Sequence, residues 1–339
     1  MSALKRPKRV TMKDIAKATG FTVNTVSHAL KDMDDISEET KKIIREKAVE
    51  MGYLTNMLAA SMRSGVTHTL AIIIPDIANP FFASKVREMD RVLRKNGYNS
   101  FIMNTDENSD IEREAVRTAI SRKVDGIIIC PTQKETDIFD LMIANGIPYV
   151  IIGRRFSGRL FYTVLWDDVR AGYLATQYLV EKGKKKILYL NGPPHISSSN
   201  DRLTGYKKCL KEYGIAFDPN LVVEAEITPR ADSNHISTIM ERKGEFDAIF
   251  AFSDFIALAA IDTISRMALD VPIVGVDDIL SDLNFPMPLS SVGICKEQEA
   301  QATIEMLFEQ IKDHQNTPHT VVLETFLVNR DEKYIQKRC

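Results

Sequence analysis

The chain is poor in the residues that would anchor metal or disulfide chemistry. Its four cysteines, Cys130, Cys209, Cys295 and Cys339, lie far apart in 339 residues and form no metal-ligand pair. They read as reduced thiols. His195 and His235 also lack metal-ligand spacing and read as surface residues, so neither a metal nor a cofactor is predicted. No uninterrupted apolar run approaches the ~20 residues that a membrane-spanning helix requires. The N-terminus carries no apolar stretch of the secretory kind. Together these absences predict a cytoplasmic protein without a membrane partner. After the first apolar run, Pro75 to Phe82 contains no glycine. No Gly-x-Gly-x-x-Gly or Walker loop is present there to cradle phosphates, and no nucleophile-base set stands out. An enzyme on a nucleotide-binding sheet is therefore disfavoured.

What is present is an ordinary apolar fraction of 44% with 27% charged residues, in a length that predicts two or three folded units. The net charge of −2 hides an asymmetry. Residues 1–65 hold 12 Lys and Arg against 8 Asp and Glu, so +4, and the remainder balances at −6. A basic end on an acidic protein suits a local polyanion contact.

The stretch from Thr11 to Leu30 carries the clearest local signal. Thr11 with Asp14 reads as a capping box. Ile15, Ala16 and Thr19 give a small apolar face, and Gly20 ends the first helix. Thr22 caps a second helix whose Val26, Ala29 and Leu30 face inward. Two helices around so short a turn make a helix-turn-helix. The second helix exposes Val23, Asn24, Thr25, Ser27 and His28 at its N-terminal end, where a recognition helix meets base edges. Thr11 and Thr22, with the amides they cap, are placed to hold phosphates. An ordinary helix pair with a polar surface is the plainer alternative. Ser37 caps a third helix, packed through Ile43, Ile44, Lys47, Ala48 and Met51 and ended by Gly52.

The organisation read from the pattern is a basic arm over 1–10, a headpiece over 11–54, a linker over 55–67, a core over 68–330 and a tail over 331–339. The arm adds phosphate contacts or only solubilises. Residues 56–65 offer one or two helical turns, too short to be stable alone. They read as a hinge helix that orders on DNA or as a plain linker. From Thr69 onward, apolar runs alternate with amphipathic stretches. The runs are Leu70–Ile74, Ser100–Met103, Gly126–Cys130 and Tyr149–Ile152. After Tyr162–Leu165 the scheme restarts with Ile187–Leu190, Leu221–Val223, Ala248–Phe252 and Ile273–Val276. Glu297–Lys312 and Val321–Val328 add one more helix and a strand. Such alternation predicts an α/β core of parallel sheets covered by helices, in two lobes. The expected N-lobe is about 68–164 plus 295–322, and the C-lobe about 165–292 plus 323–330. Ligands bind beyond the carboxyl ends of parallel strands. The candidates there are Asp76, Asn79, Arg154, Arg155, Ser253, Asp254, Asp277 and Asp278. Trp166, read as lying just after the lobe crossover, stacks on a ligand or belongs to the core.

These residues resemble the lactose-repressor/galactose-repressor (LacI/GalR) family of bacterial regulators. The resemblance rests on Thr11–Leu30 with Thr25-Val26-Ser27 inside it, on Pro75-Asp76-Ile77-Ala78-Asn79-Pro80-Phe81-Phe82, on Asn191-Gly192-Pro193, on Arg202-Leu203-Thr204-Gly205-Tyr206 and on Val274-Gly275-Val276-Asp277-Asp278. It extends in order to about residue 330. It implies a two-lobed periplasmic-binding-protein-like core behind an all-α headpiece and hinge helix. It further implies a homodimer that binds double-stranded operator DNA, with repression as the usual effect. Val23, Asn24 and His28 fall where the family reads bases. Asn56, Ala59 and Met62 fall on the hinge helix, with Met62 as the minor-groove wedge. Arg202 and Asp277 match contacts to effector hydroxyls, and Asp76, Asn79 and Phe81 line the opposite lobe. Gly153, Ser253 and Ile294 replace the more usual Asp, Asn and Gln, and Thr55 replaces Pro. Arg154 with Arg155 then suggests an anionic sugar as effector, unless Arg155 points to solvent. The expected function is a DNA-binding regulator controlled by a sugar-like or anionic-sugar effector. A regulator controlled by a protein partner remains the alternative.

Overall fold

A computed structural model describes residues 10–54, 65–225, 236–237, 240–241, 245–283, 287–313 and 317–331. Asn56, Ala59 and Met62 and residues 1–9 of the basic arm lie outside these residues. The chain divides into two compact units, Met1–Thr67 and His68–Cys339.

The first unit holds α1 (Met12–Thr19), α2 (Val23–Leu30) and α3 (Glu38–Glu50). Ile15, Ala16, Val26, Ala29, Ile44 and Ala48 form its small core. Gly20 closes α1 at φ 76°, a left-handed conformation costly to any residue with a Cβ. α3 packs through Lys41, Ile44 and Ala48, one helical face, so Ile43 is turned outward and 44% exposed rather than packed. The Lys41 stem is buried while its ammonium bridges Asp32 and Glu38, at 3.1 and 2.8 Å.

The second unit is two lobes, each with a six-stranded sheet among the described residues. The N-lobe sheet contains β1 (Thr69–Ile74), β2 (Asn99–Asn104), β3 (Gly126–Ile129), β4 (Tyr149–Ile152), β5 (Thr163–Trp166) and β11 (Thr320–Leu323), in the order β11-β5-β4-β3-β1-β2. The C-lobe sheet contains β6 (Ile187–Asn191), β7 (Val222–Glu224), β8 (Ala248–Ala251), β9 (Ile273–Val276), β10 (Ser290–Gly293) and β12 (Phe326–Val328), in the order β12-β10-β9-β8-β6-β7. Pairing is parallel except for β12 against β10. Leu70, Ile72 and Ile74 face one N-lobe core, and Ala71 and Ile73 face the other, the two-sided burial expected of parallel strands.

Helices α4 (Pro80–Lys95), α5 (Ser109–Ser121), α6 (Asp137–Ala144) and α11 (Lys296–Lys312) belong to the N-lobe. Helices α7 (Asp168–Glu181), α8 (Ser197–Glu212), α9 (Asp254–Arg266) and α10 (Ile279–Leu283) belong to the C-lobe. Three crossovers join the lobes, after β5, after β10 and after β11. Trp166 is thus the last residue of β5, before the crossover rather than after it. The apolar run Val321–Val328 is not one strand but β11 and β12, one in each lobe. No helix of the described residues is long and apolar enough to cross a membrane.

Candidate functional site

In the first unit the exposed start of α2 is fixed by its cap. Thr22 Oγ1 accepts from the Thr25 amide at 3.1 Å and lies 2.9 Å from Thr25 Oγ1. The Asp14 carboxylate accepts from both the amide and the hydroxyl of Thr11, at 2.8 and 2.7 Å, so that hydroxyl points back into the cap. Val23 and Asn24 are exposed, while Thr25, Ser27 and His28 are half-buried. His28 Nδ1 lies 2.6 Å from Asp35 Oδ2, which orients the ring through the loop after α2. The surface that remains most open is the start of α2, one apolar residue, Val23, beside one amide, Asn24.

In the second unit a cleft of about 610 Å³, counted to its open mouth, lies between the carboxyl ends of the two sheets. Of the predicted effector residues, Asn79, Phe81, Arg154, Arg202, Ser253 and Asp277 line it. Asp76 does not. Its Oδ1 accepts from the Ala78 amide at 2.9 Å, which folds the side chain back into its own turn. Asn79 and Ser253 cap α4 and α9, their oxygens accepting from Phe81 and Ile256 amides. Ser253 therefore has its hydroxyl oxygen already engaged.

Each cation in the cleft already holds a carboxylate. Arg202 donates Nε to Asp168 at 2.7 Å and Nη1 to the Phe252 carbonyl at 2.5 Å, with its guanidinium 4.4 Å from the Phe252 ring centroid. Arg154 is gripped by both oxygens of Glu107 and donates to the Pro131 carbonyl at 2.5 Å. Lys85 pairs with Glu299 at 2.8 Å and sits over Phe81 and Trp166, 4.9 and 5.4 Å from their centroids. Trp166 Nε1 donates to the same Glu299 oxygen at 3.1 Å. Arg155 is not in the lining. It turns outward to Asp201, at 3.1 and 2.6 Å, so the expected pair of guanidiniums facing an anion does not form.

Asp277 follows β9 at φ 111°, a strained conformation for a non-glycine residue. Its amide donates to Val292 O at 2.8 Å and its carbonyl accepts from Lys296 Nζ at 3.1 Å, which together hold it. Burial pushes its carboxyl up to about 7, against the pull of Arg202 and Lys296 and with a further push from Asp168. Arg202 Nη2 is 4.0 Å away, too far for a hydrogen bond, which leaves the carboxylate free to accept from a guest. Beneath it Asp254 is fully buried, accepting from Ser291 Oγ at 2.6 Å and the Ile279 amide at 2.9 Å. Burial first, and then Asp277, raise its carboxyl well above the ordinary range.

Lys85, Glu107, Asp168, Ser198 and Phe252 also line the cleft, and sequence reasoning did not single them out. Lys85 had a signal, standing four residues after Phe81 on the same helical face. The others are fixed by loop paths that no periodicity reveals. Among the described residues, no group of three or more His, Cys, Asp or Glu is placed to hold a metal.

A helix-turn-helix unit and a cleft between two lobes on one chain define a DNA-binding regulator with a small-molecule domain. Comparison with known proteins agrees. Residues 11–56 match bacterial regulatory proteins of the lacI family, and residues 67–278 match the periplasmic binding proteins and sugar binding domain of the LacI family. The chain belongs to the LacI family of DNA-binding transcriptional regulators. It is 28% identical to the HTH-type transcriptional repressor PurR of Aliivibrio salmonicida over 308 residues, which cover 89% of this chain and 92% of that one. The transcriptional regulator CelR, solved with cellobiose, is 26% identical, with a TM-score of 0.71 and coverage of 95% and 99%. The lac repressor dimer bound to operator shares the fold, with a TM-score of 0.82 at 19% identity and coverage of 95% and 98%.

Proposed function

We propose that the chain works as a homodimer in the cytoplasm, repressing transcription from a two-fold operator, and that its cleft takes a neutral, hydroxyl-rich ligand of the sugar class. The observation that carries the ligand reading is the matching of every cleft cation by a carboxylate of the chain itself. An anionic guest would have to displace one of those partners, whereas a neutral polyol need not. Asp277 then accepts from ligand hydroxyls, Arg202 donates to them, and Phe252 and Trp166 add apolar wall to the cleft. Cellobiose in CelR supports the same ligand class.

On the DNA side, Asn24 pairs with adenine N6 and N7, Val23 meets a thymine methyl, and His28 approaches guanine. Thr11, Thr22, Thr25 and Ser27 contribute backbone positioning. Asn56, Ala59 and Met62 act at the minor groove, as in the family. The ligand shifts operator affinity only through unequal affinity for the two lobe arrangements. Calorimetry with matched pairs of neutral sugars and their sugar acids tests the cleft, and binding confined to the acids overturns the reading. Genomic footprinting tests the DNA side, where an absence of protected sites would refute it.

A further inference from the structure

Helix α8 begins without a cap of its own. Its N-cap position is Ile196, which has no side-chain acceptor, and the first amides of any helix need one. The acceptor comes from the other lobe. Gln133, in the loop after β3, lays its Oε1 2.9 Å from the Ser197 amide. Gln133 is held at φ 62°, a left-handed conformation that glutamine rarely adopts. Its neighbour Thr132 is anchored beneath it, giving its amide and hydroxyl to buried Glu112 at 2.6 and 2.9 Å. The other end of Gln133, Nε2, donates to the Arg155 carbonyl at 2.6 Å and so braces the second half of the contact.

That second half is Arg155 itself, in the N-lobe after β4. Its amide donates to Ser197 Oγ at 3.1 Å, and its guanidinium forks onto Asp201 of α8. Gln133 and Arg155 thus engage the first turn and a half of α8 through four hydrogen bonds, all across the lobe gap. The same stretch of α8 carries Ser198 and Arg202, both lining the cleft.

We infer that Gln133 and Arg155 form a clasp that caps α8 in trans, so that the chain's own side chains set the balance between closed and open lobes. A bound ligand adds to a closure already favoured, and opening leaves the α8 terminus uncapped. The inference rests on contacts within the protein and is independent of which ligand the cleft takes.

The test uses the sole tryptophan. Trp166 is 5% exposed at the cleft wall, so acrylamide quenching of its fluorescence reports lobe opening. In the full-length protein, Q133A, R155M and D201N should each raise the quenching constant about twofold, the scale expected for removing one partly exposed polar contact. R155M/D201N should do no more than either single change, because both remove one interaction. The reversed pair R155D/D201R should return towards wild type. R159M, which removes an ion pair inside the N-lobe with Asp140, should leave quenching unchanged. Circular dichroism separates opening from unfolding. If R155M and Q133A quench like wild type, or if the R155M and D201N effects add, the clasp is overturned. Should a single variant unfold, the reversed pair decides: recovery supports the clasp, and failure to recover refutes it.

Discussion

Gly172 of α7 and Arg202 of α8 lie so close that a Cβ added to Gly172 would come 2.0 Å from the Arg202 carbonyl oxygen. One turn along, a Cβ on Gly205 would lie 1.9 Å from the Val169 carbonyl. The two helices therefore touch backbone to backbone, and this contact sets where the Arg202 guanidinium enters the cleft. Neither glycine has a positive φ, so the requirement is for space and not for conformation. In an open helix G172A would stabilise by up to about 1 kcal/mol. Here it should destabilise by about 1–3 kcal/mol, the range for overpacking, and weaken ligand binding with it. Denaturant unfolding checks the sign, and a stabilised variant would contradict the argument.

The Lys85–Glu299 pair is buried at both ends, at 2% and 0% exposure. Removing one partner strands the other. K85M should cost about 3–5 kcal/mol, whereas K85M/E299Q should recover much of it, since it removes the stranded charge while the Gln amide oxygen still accepts from Trp166 Nε1. A double-mutant cycle by thermal or denaturant unfolding measures both. Additive losses would show that the two charges do not stabilise one another.

Asp277 should tie both stability and ligand affinity to pH. Its carboxyl is raised to about 7 in the fold, above the ordinary 3.8, so the folded state binds more protons than the unfolded state between those values. Stability from this group is full below about 4, falls as pH rises towards 7, and is flat above, with a slope approaching about 1.4 kcal/mol per pH unit. D277N should remove that component of the slope. Affinity for a neutral sugar should move the other way and rise through pH 7, because the ionised carboxylate accepts from two hydroxyls. Calorimetry at pH 6 and pH 8 checks this, and an unchanged affinity would count against a ligand contact at Asp277.

On the headpiece, N24A should cost about 1–3 kcal/mol at one base position and relax the preference there, the scale of one bidentate base contact. T22A should instead weaken all sequences together, through about 1 kcal/mol of lost helix cap. Binding assays on a set of single-base operator variants separate the two patterns. Equal losses at every position for N24A would place Asn24 outside base readout.

Much of the architecture could be read from residue order, because it follows from local patterns. β1 and β3 fall on apolar runs too uniform for a one-sided sheet, and α2 starts where Thr22 offers an oxygen to the Thr25 amide. The misreadings have local causes too. A run such as Val321–Val328 says that its residues are buried but not in which sheet, and Glu324 and Thr325 carry the chain from one lobe to the other within it. Asp76 stands at a strand end like Asn79, yet its Oδ1 accepts from Ala78 in its own turn and its side chain stays out of the cleft lining.

The residue order alone determined the alternation of strands and helices, the capped helix pair at the front and the polar character of the strand ends. Those depend on spacing within a few residues, where chain connectivity fixes the geometry. Only the tertiary structure decided which charge meets which. Lys85 finds Glu299, Arg154 finds Glu107 and Arg155 finds Asp201, each across tens to hundreds of residues. Such pairings depend on the relative placement of lobes and loops, and they turn a cleft that looks cationic in sequence into one whose positive charges are already matched.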